Sequence, residues 1–119
     1  MKKKICFVTT GDIENIATAK RALGMANPLQ ALGWEVHILL EDAAENRHRV
    51  ALECNTCIHV HYFKMGTALQ EIRQKNEFIR KIQPDFVYLC AFVIRNIVSV
   101  PTGCKILTEH SEMQSRMDN

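Results

Sequence analysis

His110 closes the run Ile106-Leu107-Thr108-Glu109-His110-Ser111-Glu112, where an apolar stretch gives way to polar, titratable groups. An imidazole changes charge near neutral pH and can hydrogen-bond or polarise a hydroxyl. A similar stop occurs near the amino terminus, where Ile5-Cys6-Phe7-Val8-Thr9-Thr10 is followed by Gly11 and Asp12. Gly11 lets a backbone N–H approach a phosphate or a sugar hydroxyl. Asp12, Glu109 and Glu112 add carboxylates that can accept from ligand hydroxyls. Each residue also has a plainer reading. A tight turn explains Gly11 and Asp12 equally well, exposed carboxylates near a chain end are usually just solvated, and a strand-end histidine can serve only to satisfy carbonyls.

Two other clusters invite chemistry. Cys54-Asn55-Thr56-Cys57 with His48, His59 and His61 supplies thiolates and imidazoles, the ligands of zinc. A second CxxC or a histidine pair at finger spacing is absent, and the ligands would crowd one sheet edge, so no metal site is assigned. Arg47-His48-Arg49 could touch an anionic lipid surface, but a solvated helix face accounts for it more simply.

These residues must be positioned by a regular frame. Ile5 to Thr9 is continuously apolar, as a strand buried on both faces of a parallel sheet would be. Gly11 and Asp12 give a turn, and a helix is expected from Ile13 to Leu32. In that helix Ile16, Ala19, Leu23, Ala26 and Leu29 recur at the helical period, Pro28 imposes a kink, and Gly33 ends it. Glu35 to Leu40 reads as the second strand and Ala43 to Cys54 as a short charged helix. Cys57 to Phe63 alternates, with Ile58, Val60 and Tyr62 on one face and Cys57, His59 and His61 on the other, as in a half-exposed edge strand.

Thr67-Ala68-Leu69-Gln70 is a capping box. The helix it opens is expected to turn Leu69, Ile72, Ile79 and Ile82 inward and Arg73, Lys75, Arg80 and Lys81 outward, with Pro84 as its stop. Asp85 to Leu89 is the fourth strand, Val93 to Val98 a short helix, and Lys105 to Thr108 the fifth strand. Strands alternating with helices predict a Rossmann-like α/β fold with right-handed crossovers and strand order 3-2-1-4-5. The switch point then falls between the first and fourth strands, and ligands gather outside the carboxyl ends of such strands.

The bulk numbers narrow the class. A chain of 119 residues with 47% hydrophobic and 24% charged residues has the composition of one ordinary globular domain. A formal net charge of +2, with Arg73, Lys75, Arg80 and Lys81 interleaved with Glu71 and Glu77, gives no basic field for nucleic acid. No run approaches the roughly 20 apolar residues of a membrane span, and no signal-peptide pattern is present, so a cytoplasmic location is expected. Five cysteines, with Cys6 and Cys90 inside apolar runs, fit reduced thiols better than disulfides.

Four segments together resemble one family. They are Lys4-Ile5-Cys6-Phe7-Val8-Thr9-Thr10, Leu32-Gly33-Trp34-Glu35-Val36-His37-Ile38-Leu39, Ile82-Gln83-Pro84-Asp85-Phe86-Val87-Tyr88, and Lys105 through Glu112. In this order and spacing they resemble the amino-terminal portion of GT-B-fold glycosyltransferases, particularly the large retaining family 4, over almost the whole chain. The resemblance implies a two-domain enzyme that transfers a sugar from a nucleotide-sugar to a glycan or lipid-linked acceptor, with no further cofactor. This chain would be the acceptor-side domain, itself incomplete. The nucleotide-sugar would be held only with a second domain, so the isolated chain is expected to be inactive. By the same resemblance His110 would line the active-site cleft as the catalytic residue. The family often has a Gly-Gly pair after the first strand, near the donor phosphates. Here Thr10-Gly11-Asp12-Ile13 carries one glycine.

The competing reading is a free-standing flavodoxin-like binding or regulatory module. A receiver of that type needs an acidic residue ending the third strand and a lysine after the fifth, whereas here the third ends His61-Tyr62-Phe63 and no lysine follows Lys105. A dinucleotide site is not indicated either, since no G-x-G-x-x-G follows the first strand. An incomplete domain would also leave the fifth strand as an open edge, from which an edge-strand homodimer is expected.

Overall fold

The computed structural model describes residues 3–10, 16–91 and 93–108, with residues 16–19 described in backbone only. The elements are β1 (Lys4–Val8), α1 (Ile16–Ala31), β2 (Glu35–Glu41), α2 (Ala44–Glu53), β3 (His59–Phe63), α3 (Ala68–Ile82), β4 (Phe86–Leu89), α4 (Ile94–Ser99) and β5 (Lys105–Thr108). All adjacent strands pair parallel, in the order β3-β2-β1-β4-β5. This is the Rossmann-like order expected from the sequence, and it differs from the 2-1-3-4-5 order of flavodoxin-like sheets.

The continuous apolar strands are explained by burial on both faces. Ile5, Phe7, Val36, Ile38 and Leu40 pack under α1 and α2 with Ala22, Leu23, Ala26, Leu29 and Val50. On the other face Cys6, Val8, Leu39, Val87 and Leu89 pack with Ile79 and Ile82 of α3 and Ile97 of α4. No helix among the described residues is long and apolar enough to cross a membrane.

Helix ends follow local chemistry. The helix α1 runs through Pro28 as one element. It closes with Gly33 N–H donating to Gln30 O (3.0 Å) and Trp34 N–H to Leu29 O (3.1 Å). That pair of bonds is a Schellman turn, and it needs the positive φ of 99° that Gly33 adopts without strain. At α3 both halves of the capping box form, Gln70 N–H to Thr67 Oγ1 (3.2 Å) and Thr67 N–H to Gln70 Oε1 (3.0 Å). Gln83 turns left-handed (φ 53°) before Pro84, and Asp85 accepts from the Lys4 N–H at 2.8 Å, tying the start of β4 to β1.

Three sequence expectations are corrected. Leu69 is 58% exposed and Lys75 fully buried, so the inward stripe of α3 is Glu71, Lys75, Ile79 and Ile82. The charge of Lys75 is answered inside the fold, so its position in the helical period outweighs its residue type. Strand β3 begins at His59 rather than Cys57. Asn55 accepts the Cys57 N–H on its side chain (3.1 Å) and the Ile58 N–H on its carbonyl (3.0 Å), and this Asx turn holds Cys57 out of the ladder.

Candidate functional site

The switch point lies between β1 and β4, where the chain reverses its direction of travel across the sheet. Register sets Val8, Leu89 and Thr108 in one row across β1, β4 and β5. The chain therefore leaves all three strands at a common rim. Thr9 continues β1 by one residue. Its N–H and its Oγ1 both donate to the Leu39 carbonyl, at 3.3 and 2.8 Å, and its side chain is buried. Cys90 N–H donates to Val8 O at 3.0 Å on the other side.

Beneath this rim sits a buried ionic knot. Lys75 Nζ donates to Thr9 O (2.7 Å), Glu71 Oε2 (2.6 Å) and Asn96 Oδ1 (2.6 Å), which uses all three of its protons. It also lies 4.5 Å from the centre of the Phe63 ring. The second oxygen of Glu71 accepts from Arg95 Nη1 at 3.2 Å, and Asn96 Nδ2 donates to Ala91 O at 2.9 Å. Lys75 and Glu71 are both 0% exposed, while Arg95 keeps part of its side chain in solvent. One knot thus joins the ends of β1 and β4 to α3 and α4 at the switch point. Burial pulls Lys75 down from its ordinary 10.5 to about 8. The Glu71 carboxylate opposes that shift, and Arg95 adds to it.

The residues singled out from sequence, Gly11, Asp12, Glu109, His110 and Glu112, lie outside the described residues. Their flanks do not: Thr10 and Thr108 are described, and both stand at the common rim. Lys75, Glu71, Asn96 and Arg95 were not anticipated. The available signal was spacing, since Glu71, Lys75 and Ile79 recur every four residues on the stripe that carries Ile79 into the core.

Cys54 is half-buried and Cys57 exposed, and neither joins a group of convergent ligands among the described residues. Burial raises the Cys54 thiol, with Glu53 adding to it. Arg47 is engaged by Asp42 (2.8 Å) and lies over the Tyr62 ring at 4.1 Å, and Arg49 is 3.7 Å from Glu45. The chain matches no family model and no curated protein.

Proposed function

We propose that this chain is the acceptor-binding, Rossmann-like part of a glycosyltransferase that transfers a sugar from a nucleotide-sugar to a glycan or lipid-linked acceptor. The observation that carries the reading is the row Val8–Leu89–Thr108. Val8 and Thr108, which precede the Gly11-Asp12 and Glu109-His110-Ser111-Glu112 segments in sequence, end their strands at one rim beside the switch point. Adjacent strands are about 4.8 Å apart, so the two exits, separated by β4, lie about 10 Å apart, a span suited to a sugar ring. The ionic knot supports the reading by fixing the floor under that rim. In this reading His110 hydrogen-bonds the reacting hydroxyl, while Gly11, Asp12, Glu109 and Glu112 hold the acceptor. Transfer needs both reactants held together, so the acceptor side alone is inactive.

Nucleotide release from a panel of nucleotide-sugars tests this, using the chain alone and the product of its whole reading frame. The expected result is no release by the chain and acceptor-dependent release by the whole product, with His110→Ala lowering kcat by about a hundredfold or more. Release by the chain alone, or a His110→Ala product as fast as the parent, overturns the reading.

A further inference from the structure

A second cluster of titratable groups lies on the sheet face that α3 covers, toward the amino-terminal ends of β2 and β3. Glu35 and His37 are two apart on β2 and so share a face, and the parallel register sets His59 of β3 beside His37. His37 Nε2 is 2.7 Å from Glu35 Oε2. The His37 and His59 rings stack with centroids 4.6 Å apart and planes 17° apart. One ligand atom from each of the three lies within 4.8 Å of the other two. The remaining nitrogen of His37, Nδ1, is 2.9 Å from Nε2 of His61, whose ring is braced by Phe78 of α3 at 5.3 Å.

We propose that Glu35, His37 and His59 bind a zinc-class divalent metal ion, which clamps the edge strand β3 to β2. Two imidazoles and a carboxylate are a zinc donor set, and they leave a fourth tetrahedral position for water. Magnesium and calcium, which take oxygen ligands, are disfavoured by the two nitrogens. Zinc bonds of about 2.0–2.1 Å put neighbouring ligand atoms about 3.3 Å apart, so the widest pair of the triad, within 4.8 Å, closes by about 1.5 Å, and the Glu35–His37 pair, at 2.7 Å, opens by about 0.6 Å. His59 is exposed and Glu35 half-buried, which gives the ion a path from solvent. Lys4 Nζ, the nearest competing cation, is 3.8 Å from Glu35 Oε2 and partly solvated.

His61 acts as a positioning residue. A carboxylate can only accept, so without metal His37 carries its proton on Nε2 and accepts at Nδ1 from His61. When the ion takes the Nε2 lone pair, His37 holds its proton on Nδ1 and donates to His61 Nε2, while His61 holds its own on Nδ1. His37 and His61 each keep one proton throughout, so this exchange of tautomers releases none. A ligating histidine whose other N–H has a partner is the arrangement that fixes ring and tautomer in metal sites. The site lies away from the strand-end rim and is independent of the sugar-transfer reading.

The test is a Zn²⁺ titration of the chelator-stripped chain against a chromophoric competitor, paired with thermal unfolding. One equivalent should bind and raise Tm, as any ligand of the folded state does. His59→Ala, which keeps the fold because His59 is exposed, and Glu35→Gln should each weaken binding by at least about tenfold, and His61→Ala by about tenfold. Cys54→Ser/Cys57→Ser should bind as the parent does, and Mg²⁺ should leave Tm unchanged. Circular dichroism checks that each variant is folded. Zn²⁺ affinity no tighter than millimolar overturns the proposal. So does binding that survives His59→Ala and Glu35→Gln but is lost in the cysteine variant, and so does equal stabilisation by Mg²⁺.

Discussion

At the residue scale the fold places its largest electrostatic commitment in Lys75 and Glu71, both fully buried. Removing one partner of a buried ion pair leaves the other uncompensated, so Lys75→Met should cost about 3–5 kcal/mol in urea denaturation. Lys75→Met with Glu71→Leu should recover most of that loss, because a buried pair is often replaceable by well-packed apolar groups. A single variant as stable as the parent would show that the pair is not desolvated. The lowered pKa of Lys75 adds a pH dependence whose sign is fixed. Below pH about 8 the lysine is protonated in both states, and the folded protein bears the full cost of burying the charge. Between about 8 and 10.5 the unfolded chain keeps a proton that the folded protein has lost, so this contribution raises stability with pH. The charges facing Lys75 are Glu71 on its own helix and Arg95 on α4. Its Nζ resonance should therefore titrate near pH 8 by NMR. Titration with the surface lysines above pH 10 would contradict this.

At the scale of elements, most of the architecture was legible because local signals agreed with the global fold. Continuous apolar runs marked strands buried on two faces, Gly33 and Pro84 marked helix ends, and Thr67 with Gln70 marked a helix start. Thr67→Ala should therefore cost about 1 kcal/mol, read as a lower urea midpoint at constant slope. Gly33→Ala should cost about 1–2 kcal/mol, because a side chain at φ 99° is strained although no atom stands in its way. What was illegible depends on partners far away in sequence. Nothing near Lys75 reveals that Thr9 and Asn96 will receive its protons. His37 carries no local mark of a site, since its neighbour His59 is supplied only by the β2–β3 register. Cys57 was misplaced because the side chain of Asn55 competes with the ladder for its N–H.

At the scale of the whole molecule, the sheet order gives a rim at which β1, β4 and β5 end together, with a buried, hydrogen-bonded ionic floor beneath it. Among the described residues β5 is an outer strand, and Ile106 and Leu107 are 43% and 41% exposed on it. Self-association through this edge is expected at high concentration, with a light-scattering mass that rises in the parent and stays monomeric in Leu107→Lys. A parent that remains monomeric throughout would count against edge pairing. The central claim, that the rim receives a sugar acceptor, is tested most directly by NMR titration of the ¹⁵N-labelled chain with a panel of glycans. At least one glycan should shift the amides of Thr9, Thr10, Cys90, Ala91 and residues 109–112 together, with affinity reduced in His110→Ala. Shifts that map to other faces, or a panel that leaves these amides unmoved, would contradict it.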